Sequence, residues 1–397
     1  MEKIYENDSY LRETDTRVVT CETENGRTWI TLEKSIFFPE EGGQYADTGM
    51  LVLPAGEWVR LLDGRIRKDP DGGQEIRYLV EREIPAGTEV HCLLDWAKRF
   101  SRMQQHTGEH ILTGRIHARY GYKNVGFHLS DDAPVTLDLS GPLTWEQAMD
   151  METAANGIVW SNLPVQALYP SKEELGRLEY RSKIGIEGQV RLIAIGDPEA
   201  PADLCACCAP HVGRTGEVGI IKIVSLQNYK GGTRLGILCG RRALLHYQEE
   251  WKRFTDLAKD LSTGVEQVAD SVEALQKELF ETRQKLAERT EKAILREIGE
   301  IPQGEPALYF SEEALPAPVV KNCYNAMTAR FPGYVGIFLG SEEAGYRYTA
   351  GSASLDSREL AAAMRERLGA KGGGSPEMIQ GKTAASRRAI EEFWRGL

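Results

Sequence analysis

The chain has 397 residues, 48 basic and 59 acidic, for a formal net charge of −11, with 41% hydrophobic and 27% charged residues. At roughly 150 residues per domain this is material for two to three cores; the composition excludes wholesale disorder and a basic nucleic-acid coat, though not a local RNA patch. No apolar run approaches the ~18 residues of a membrane span, and the charged start MEKIYENDSY predicts no secretory signal. Seven Cys, three of them at 205, 207 and 208, point to a reducing cytoplasm with that cluster kept for metal or chemistry rather than a disulfide framework.

Residues 1–94 alternate like strands. RVVTCET, TWITLEKS, GMLVLP, EIRYLVERE and EVHCLLD are β-branched or aromatic runs separated by turn residues, and a small β-barrel is expected. From Trp96 the period becomes helical, with Phe100, Met103, Ile111 and Ile116 near one face and Gly121 as the stop. Strands follow at FHLSD and PVTLDLSG, then a helix opened by the capping-box pair Thr144 and Gln147. VQALYPS, VRLIAIG and VGIIKIVSLQNY read as further strands, so residues 95–242 form an α+β domain.

Residues 243–300 are charged and poor in Gly and Pro. Val265, Val268, Val272, Leu275, Leu279 and Leu286, with Thr282 in one weak position, give a three-four seam that predicts a coiled-coil arm, antiparallel or dimeric. After PQGEP, residues 301–397 are expected to form a small α/β unit: strands near 307–310, 334–340 and 346–351, helices near 316–330, 356–368 and 383–395. The fold class is α+β: barrel (1–94), α+β domain (95–242), helical arm (243–300) and C-terminal α/β domain (301–397).

His106 and His110 are four apart on the predicted helix, which puts both imidazoles on one face. Cys207 and His211 repeat the spacing 97 residues after His110. Three nitrogens and one sulfur suit a tetrahedral Zn²⁺ site. Cys205 and Cys208 are rival sulfur ligands on spacing alone.

DWAKRFSRMQQHTGEHIL (95–112) with CCAPHVGRTGEVG (207–219) closely resembles the editing site of alanyl-tRNA synthetases and of their free-standing relatives, the AlaX trans-editing proteins. FFPEEGGQYADTG (37–49) resembles that family's glycine-rich barrel motif, with Glu41 where the family has a glycine, and GAKGGGSPEMIQGK (369–382) resembles the DHH-associated domain that ends many alanyl-tRNA synthetases. The resemblance covers nearly the whole chain and implies the long AlaX class. It implies one zinc ion on His106, His110, Cys207 and His211, and hydrolysis of mischarged Ser-tRNA(Ala), with Gly-tRNA(Ala) a second substrate. With no room for a class II catalytic domain before residue 37, no aminoacylation is expected.

Candidate catalytic groups beside the zinc site are Thr107, His128 and Asp138. Gly42, Gly43, Gln44 and Gln104 are candidate substrate contacts. Arg102, Lys230, Arg234, Arg241, Arg242, Lys371, Gly372, Gly373 and Gly374 are candidate RNA contacts. The expected partner is an alanine tRNA in the cytoplasm, with no membrane, and a homodimer would form through the arm or the C-terminal domain. The rival readings are a non-catalytic RNA-binding protein with a structural zinc and an editor of another mischarged tRNA such as Ser-tRNA(Thr).

Overall fold

The computed structural model describes residues 1–68, 73–182 and 190–397. The fold is α+β, and the chain divides into two compact units, Met1–Arg253 and Phe254–Leu397.

The first unit holds six barrel strands, β1 (Glu13–Glu24), β2 (Arg27–Leu32), β3 (Gly49–Val52), β4 (Trp58–Lys68), β5 (Gln74–Val80) and β6 (Glu89–Leu94), beside a two-stranded pair of Glu2–Lys3 with Lys34–Ser35. They close a barrel in the order β1-β2-β5-β4-β3-β6, with β6 returning antiparallel to β1. The expected barrel is therefore present. Its inward positions, among them Val18, Ile30, Leu51, Val59, Tyr78 and Cys92, form one buried core. Closure leaves the barrel no free edge.

Helix α1 (Trp96–Tyr120) follows at once. Asp95 caps its N-terminus by accepting the Lys98 N–H, and Gly121 ends it in the left-handed conformation at φ 71°. α1 is tied to the barrel through Arg99, which is fully buried. Its guanidinium donates to Asp47 and to the Ile36 carbonyl, and Asp47 also accepts the Phe38 N–H at 2.7 Å. A buried charge pair of this kind fixes geometry more than it adds stability.

The rest of the unit packs on α1. Strands β7 (Asn124–His128) and β8 (Val135–Leu139) lead to helix α2 (Trp145–Trp160), which opens on the expected capping box. Strands β9 (Val165–Leu168), β10 (Leu192–Ile195) and β11 (Asp203–Ala206) form a three-stranded antiparallel sheet. Strands β12 (Ile221–Tyr229) and β13 (Gly232–Cys239) complete a four-stranded sheet ordered β12-β13-β8-β7. Two glycines let α1 approach its neighbours. A Cβ on Gly108 would lie 2.3 Å from Cys239 Sγ, and one on Gly114 would lie 2.8 Å from the Asp203 carboxylate.

The arm is helical but broken. Helix α3 (Gly240–Asp260) ends in a turn with Ser262 at φ 52°, a single 3₁₀ turn spans Val265–Gln267, and helix α4 (Val268–Glu300) follows. The continuous seam expected from Val265 starts three residues later, because SerThrGly at 262–264 redirects the backbone.

The second unit holds strand β14 (Leu308–Ser311), helix α5 (Ala317–Arg330), strands β15 (Val335–Ser341) and β16 (Gly345–Gly351), helix α6 (Ser357–Leu368), strands β17 (Lys371–Gly374) and β18 (Met378–Thr383), and helix α7 (Arg387–Arg395). The sheet order is β14-β15-β16-β18-β17. α6 and α7 bury one face through Phe338, Tyr348, Ile379, Met364 and Phe393. Among the described residues, no helix is long and apolar enough to cross a membrane.

Candidate metal centre

α1 carries His106 and His110 into the interior at 2% exposure each, and His211 comes in from the loop after β11 at 5%. Together with Cys207 they place one ligand-type atom each within 4.8 Å of one another. Cys207 Sγ lies 3.6 Å from His106 Nε2 and 3.3 Å from His211 Nε2. Zn–N bonds of about 2.0–2.1 Å and a Zn–S bond of about 2.3 Å in a tetrahedron separate ligand atoms by roughly 3.3–3.6 Å. The spacing and the donor set both fit a borderline-soft divalent ion.

Each ligand-type ring has support behind it. His106 Nδ1–H donates to Gln44 Oε1 at 2.8 Å, which turns Nε2 toward the cluster. His211 Nδ1 is 3.0 Å from Thr107 Oγ1, which also accepts the Val212 N–H at 3.3 Å. His110 Nδ1 is 3.7 Å from Asp203 Oδ2. Asp203 is in turn gripped by Arg181 through two bonds of 2.7 Å, and Arg181 Nη2 donates to the His110 carbonyl at 3.3 Å. Burial pushes the Asp203 carboxyl above the ordinary carboxylate value, against the pull of Arg181. Arg191 Nη1 donates to the carbonyls of Cys207 and Ala209 at 2.9 and 3.0 Å, so the Cys-to-His loop is held at its backbone.

Of the rival sulfurs, Cys205 lies with His110 and Asp203 in a second buried group, and Cys208 faces the glycine loop, with Sγ 3.8 Å from where a Gly42 Cβ would stand. That loop is a tight turn. Glu41 and Gln44 exchange backbone hydrogen bonds at 3.1 and 3.0 Å, and Gly42 and Gly43 sit between them at φ 61° and 87°. Both central positions need φ > 0, whereas Glu41 is outside them and keeps its side chain without cost to the turn. A Cβ on Gly43 would meet the Phe127 carbonyl at 2.7 Å, and the Phe127 ring lies 4.9 Å from His106, so the turn, β7 and α1 converge.

Other expected residues are placed elsewhere. His128 is at the exposed end of β7, 3.3 Å from the Tyr45 hydroxyl. Asp138 is not an open acceptor: it faces Arg234 across the β8–β13 ladder and takes two bonds from it, 2.6 and 2.7 Å. Arg234 is thereby occupied, and also stacks on Tyr229. Gln104 donates to the Glu217 carbonyl at 2.8 Å. Arg102 is buried against Asp131 and the Ala46 carbonyl, and Arg242 donates to the carbonyls of Ser130 and Ala133. Arg102, Arg234, Arg242 and Gln104 thus each make side-chain hydrogen bonds within the chain. Lys230 and Arg241 are exposed in this unit, and Lys371 with Gly372, Gly373 and Gly374 is the exposed edge strand of the other. Asp203, Arg181 and Arg191 escaped the sequence reading; the only signal was Asp203 four residues ahead of Cys207 in ADLCACC.

A closed barrel joined to an α+β layer, with three imidazoles and a thiol gathered where they meet, defines a protein built around a buried N/S metal-type centre. The family described as "Threonyl and Alanyl tRNA synthetase second additional domain" matches residues 190–235. The chain is 28% identical to "Alanyl-tRNA editing protein AlaX-L" of Pyrococcus horikoshii, over 98% of this chain and 96% of that protein. It is 30% identical to "Alanyl-tRNA editing protein Aarsd1" of Danio rerio, over 74% of this chain and 70% of that protein. It is 29% identical to an alanine–tRNA ligase of Pyrobaculum neutrophilum, but spans only 44% of it. The chain belongs to the alanyl-tRNA editing proteins, in the long AlaX class.

Proposed function

We propose that this chain is a trans-editing hydrolase that deacylates Ser-tRNA(Ala), and Gly-tRNA(Ala) as a second substrate, with His106, His110, Cys207 and His211 holding one zinc ion. The observation that supports this reading is the convergence of those four ligand-type atoms within 4.8 Å in a member of the alanyl-tRNA editing family. With four protein ligands such an ion supplies charge and orientation rather than an open coordination position.

The reaction adds water across an ester. The water oxygen bonds to the carbonyl carbon, the ribose oxygen leaves with a proton, and free serine departs. The chain must therefore place the ester and one water, and meet the developing oxyanion with a donor. Gln44 is suited to this. Its Oε1 is committed to His106, while its Nε2 is buried and has no hydrogen-bond partner among the described residues. An unpaired buried donor costs about 1–3 kcal/mol, so we assign Nε2 to the substrate, as donor to the serine hydroxyl or the ester carbonyl. If the hydroxyl is its target, alanine leaves the donor unpaired, which gives a basis for sparing the correct ester. Thr107 holds the His211 ring, and Tyr45 with His128 forms a polar rim above the turn.

Lys230 and Arg241 are the exposed basic residues of this unit that we assign to the tRNA backbone. We read residues 1–94 as the barrel, 95–242 as the editing domain, 243–300 as the arm and 301–397 as the C-terminal domain, in a cytoplasmic protein. The test is deacylation of Ser-, Gly- and Ala-tRNA(Ala) by the purified chain, with zinc assayed on the same sample. Loss of the serine ester with the alanine ester spared is expected. No hydrolysis of any ester at one zinc per chain would replace this reading with a structural-zinc RNA-binding protein.

A further inference from the structure

The first unit holds a cavity of about 180 Å³ between the N-terminal segment 6–10, strands β9 and β10 and the loop that carries His211. Its walls are tied to one another. The Tyr10 hydroxyl accepts the Gly213 N–H at 2.6 Å and donates to Glu217 at 2.7 Å, the Tyr169 hydroxyl donates to the Glu6 carbonyl at 3.3 Å, and the Val165 N–H donates to the Gly213 carbonyl at 2.9 Å. Among the described residues, the glycine turn, Tyr45 and His128 do not line it, whereas His211 does. The cavity therefore meets the metal-type centre through His211 and not through the turn under Gln44.

The lining carries both signs of charge, from Arg191 and from Glu6 and Asp8. Arg191 uses Nη1 for the carbonyls of Cys207 and Ala209, while its Nε is buried with no partner among the described residues. A buried donor left unmet is costly. Glu6 pairs one oxygen with Lys3 at 3.2 Å, and Asp8 accepts the Tyr10 N–H through Oδ1 at 2.8 Å, so each carboxylate keeps a second oxygen. Ala167 faces Ile193 across the β9–β10 ladder, and with Val165 they form an apolar wall. A lone anion here would meet Glu6 and Asp8, and a lone cation would meet Arg191. A molecule with separated opposite charges satisfies both. Clefts for drug-sized ligands run to about 300–1,000 Å³, so this smaller one suits a molecule of a few heavy atoms.

We propose that this cavity binds one free, small α-amino acid as its zwitterion. The carboxylate takes the Nε edge of Arg191, in the pairing that a guanidinium offers a carboxylate. The ammonium lies on Glu6 and Asp8, and the short side chain lies against Val165 and Ala167. Arg191 joins this ligand to the loop between Cys207 and His211, whose carbonyls it already holds. Binding of an amino acid here is independent of the editing reading. Naming that amino acid as serine, the acid product of the ester hydrolysis, rests on that reading and makes the cavity a product site beside the centre.

The experiment is calorimetric titration of the full chain with L-serine, with ethanolamine, which lacks the carboxylate, and with 3-hydroxypropionate, which lacks the amine. It is repeated on the double variant Glu6→Gln with Asp8→Asn, and on Ala167→Phe. One saturable site for serine is expected, with each single-charge analogue weaker by about tenfold or more, the loss of one charge-assisted pairing. The double variant should weaken serine binding by a similar factor. Ala167 is an exposed residue of β9 that lines the cavity, so Ala167→Phe should abolish binding while the thermal midpoint and zinc content stay unchanged. The proposal is overturned by no saturable serine binding, by equal binding of the single-charge analogues, or by serine binding that both variants leave intact, which would put the amino acid in the reacting site instead. Deacylation is assayed on the same three chains without added serine and should be equal in all of them. A chain that binds serine and cleaves no ester would sink the editing reading alone, and one that edits without binding serine would sink this proposal alone.

Discussion

His110 differs from the other three ligand-type residues in having a carboxylate–guanidinium pair behind it. Asp203 stands 3.7 Å from Nδ1 and is held by Arg181. Asp203→Asn keeps the shape and removes the charge that favours the ring orientation. Zinc affinity, measured by competition with a chelator, should fall about 10–100-fold, as for other outer-shell partners of metal-bound imidazoles; an unchanged affinity would remove Asp203 from the site. Cys207→Ala should lose both stoichiometric zinc and deacylation, and full retention of both would shift the sulfur ligand to Cys205. At this scale the sequence was readable where chemistry is local. Two pairs at four-residue spacing point to the residues that the fold gathers, with Cys205 and Cys208 left as rival sulfurs until the family resemblance is added, and a double glycine marks the turn under Gln44. It was opaque where partners meet across a ladder. Nothing around Asp138 says that Arg234 will face it, so an occupied carboxylate looked like an open acceptor. Asp203 and Arg181 were silent for the same reason, being brought to His110 only by the packing of β11 on α1.

α1 is the element on which the centre depends, and its two interior glycines work against its own propensity. Alanine at Gly108 would favour an isolated helix by about 1 kcal/mol. Here its Cβ would sit 2.3 Å from Cys239 Sγ, and overpacking a close contact costs about 1–3 kcal/mol. Gly108→Ala should therefore lower the urea midpoint, while a rise would mean that β13 gives way freely. The limits of α1 were legible because apolar residues recur at helical spacing and Gly121 closes the run. β4 was not read from the sequence, because its charged residues, Arg60, Asp63, Arg65 and Arg67, break up the apolar pattern. The arm shows the reverse failure: the seam read from Val265 opens on a separate 3₁₀ turn, Val265–Gln267, and the long helix starts only at Val268. On α4, Leu275, Leu279 and Leu286 are exposed at 52, 51 and 64% in the single chain. If that stripe pairs two copies, sedimentation should give a dimer that Leu279→Glu with Leu286→Glu converts to a monomer; a wild-type monomer would leave the arm unpaired.

At the scale of the whole chain, composition foretold several cores and a barrel from short alternating runs, but not how the barrel closes, since closure is set by pairing between its first and last strands. Two compact units also carry a thermodynamic consequence. All four ligand-type residues lie in Met1–Arg253. A bound ion stabilises only the unit that holds it, by about 4 kcal/mol when its free concentration is 1,000 times Kd. For a unit of this size each kcal/mol moves the midpoint by roughly 2–4 °C. Calorimetry should then show two transitions, of which chelation lowers one by about 10 °C and leaves the other in place. The moving transition should be the one that Gly108→Ala also shifts, because that substitution and the metal act on the same unit. A single transition that moves as a whole would mean that the units unfold together, and an immobile pair would mean that no structural ion is held in the first.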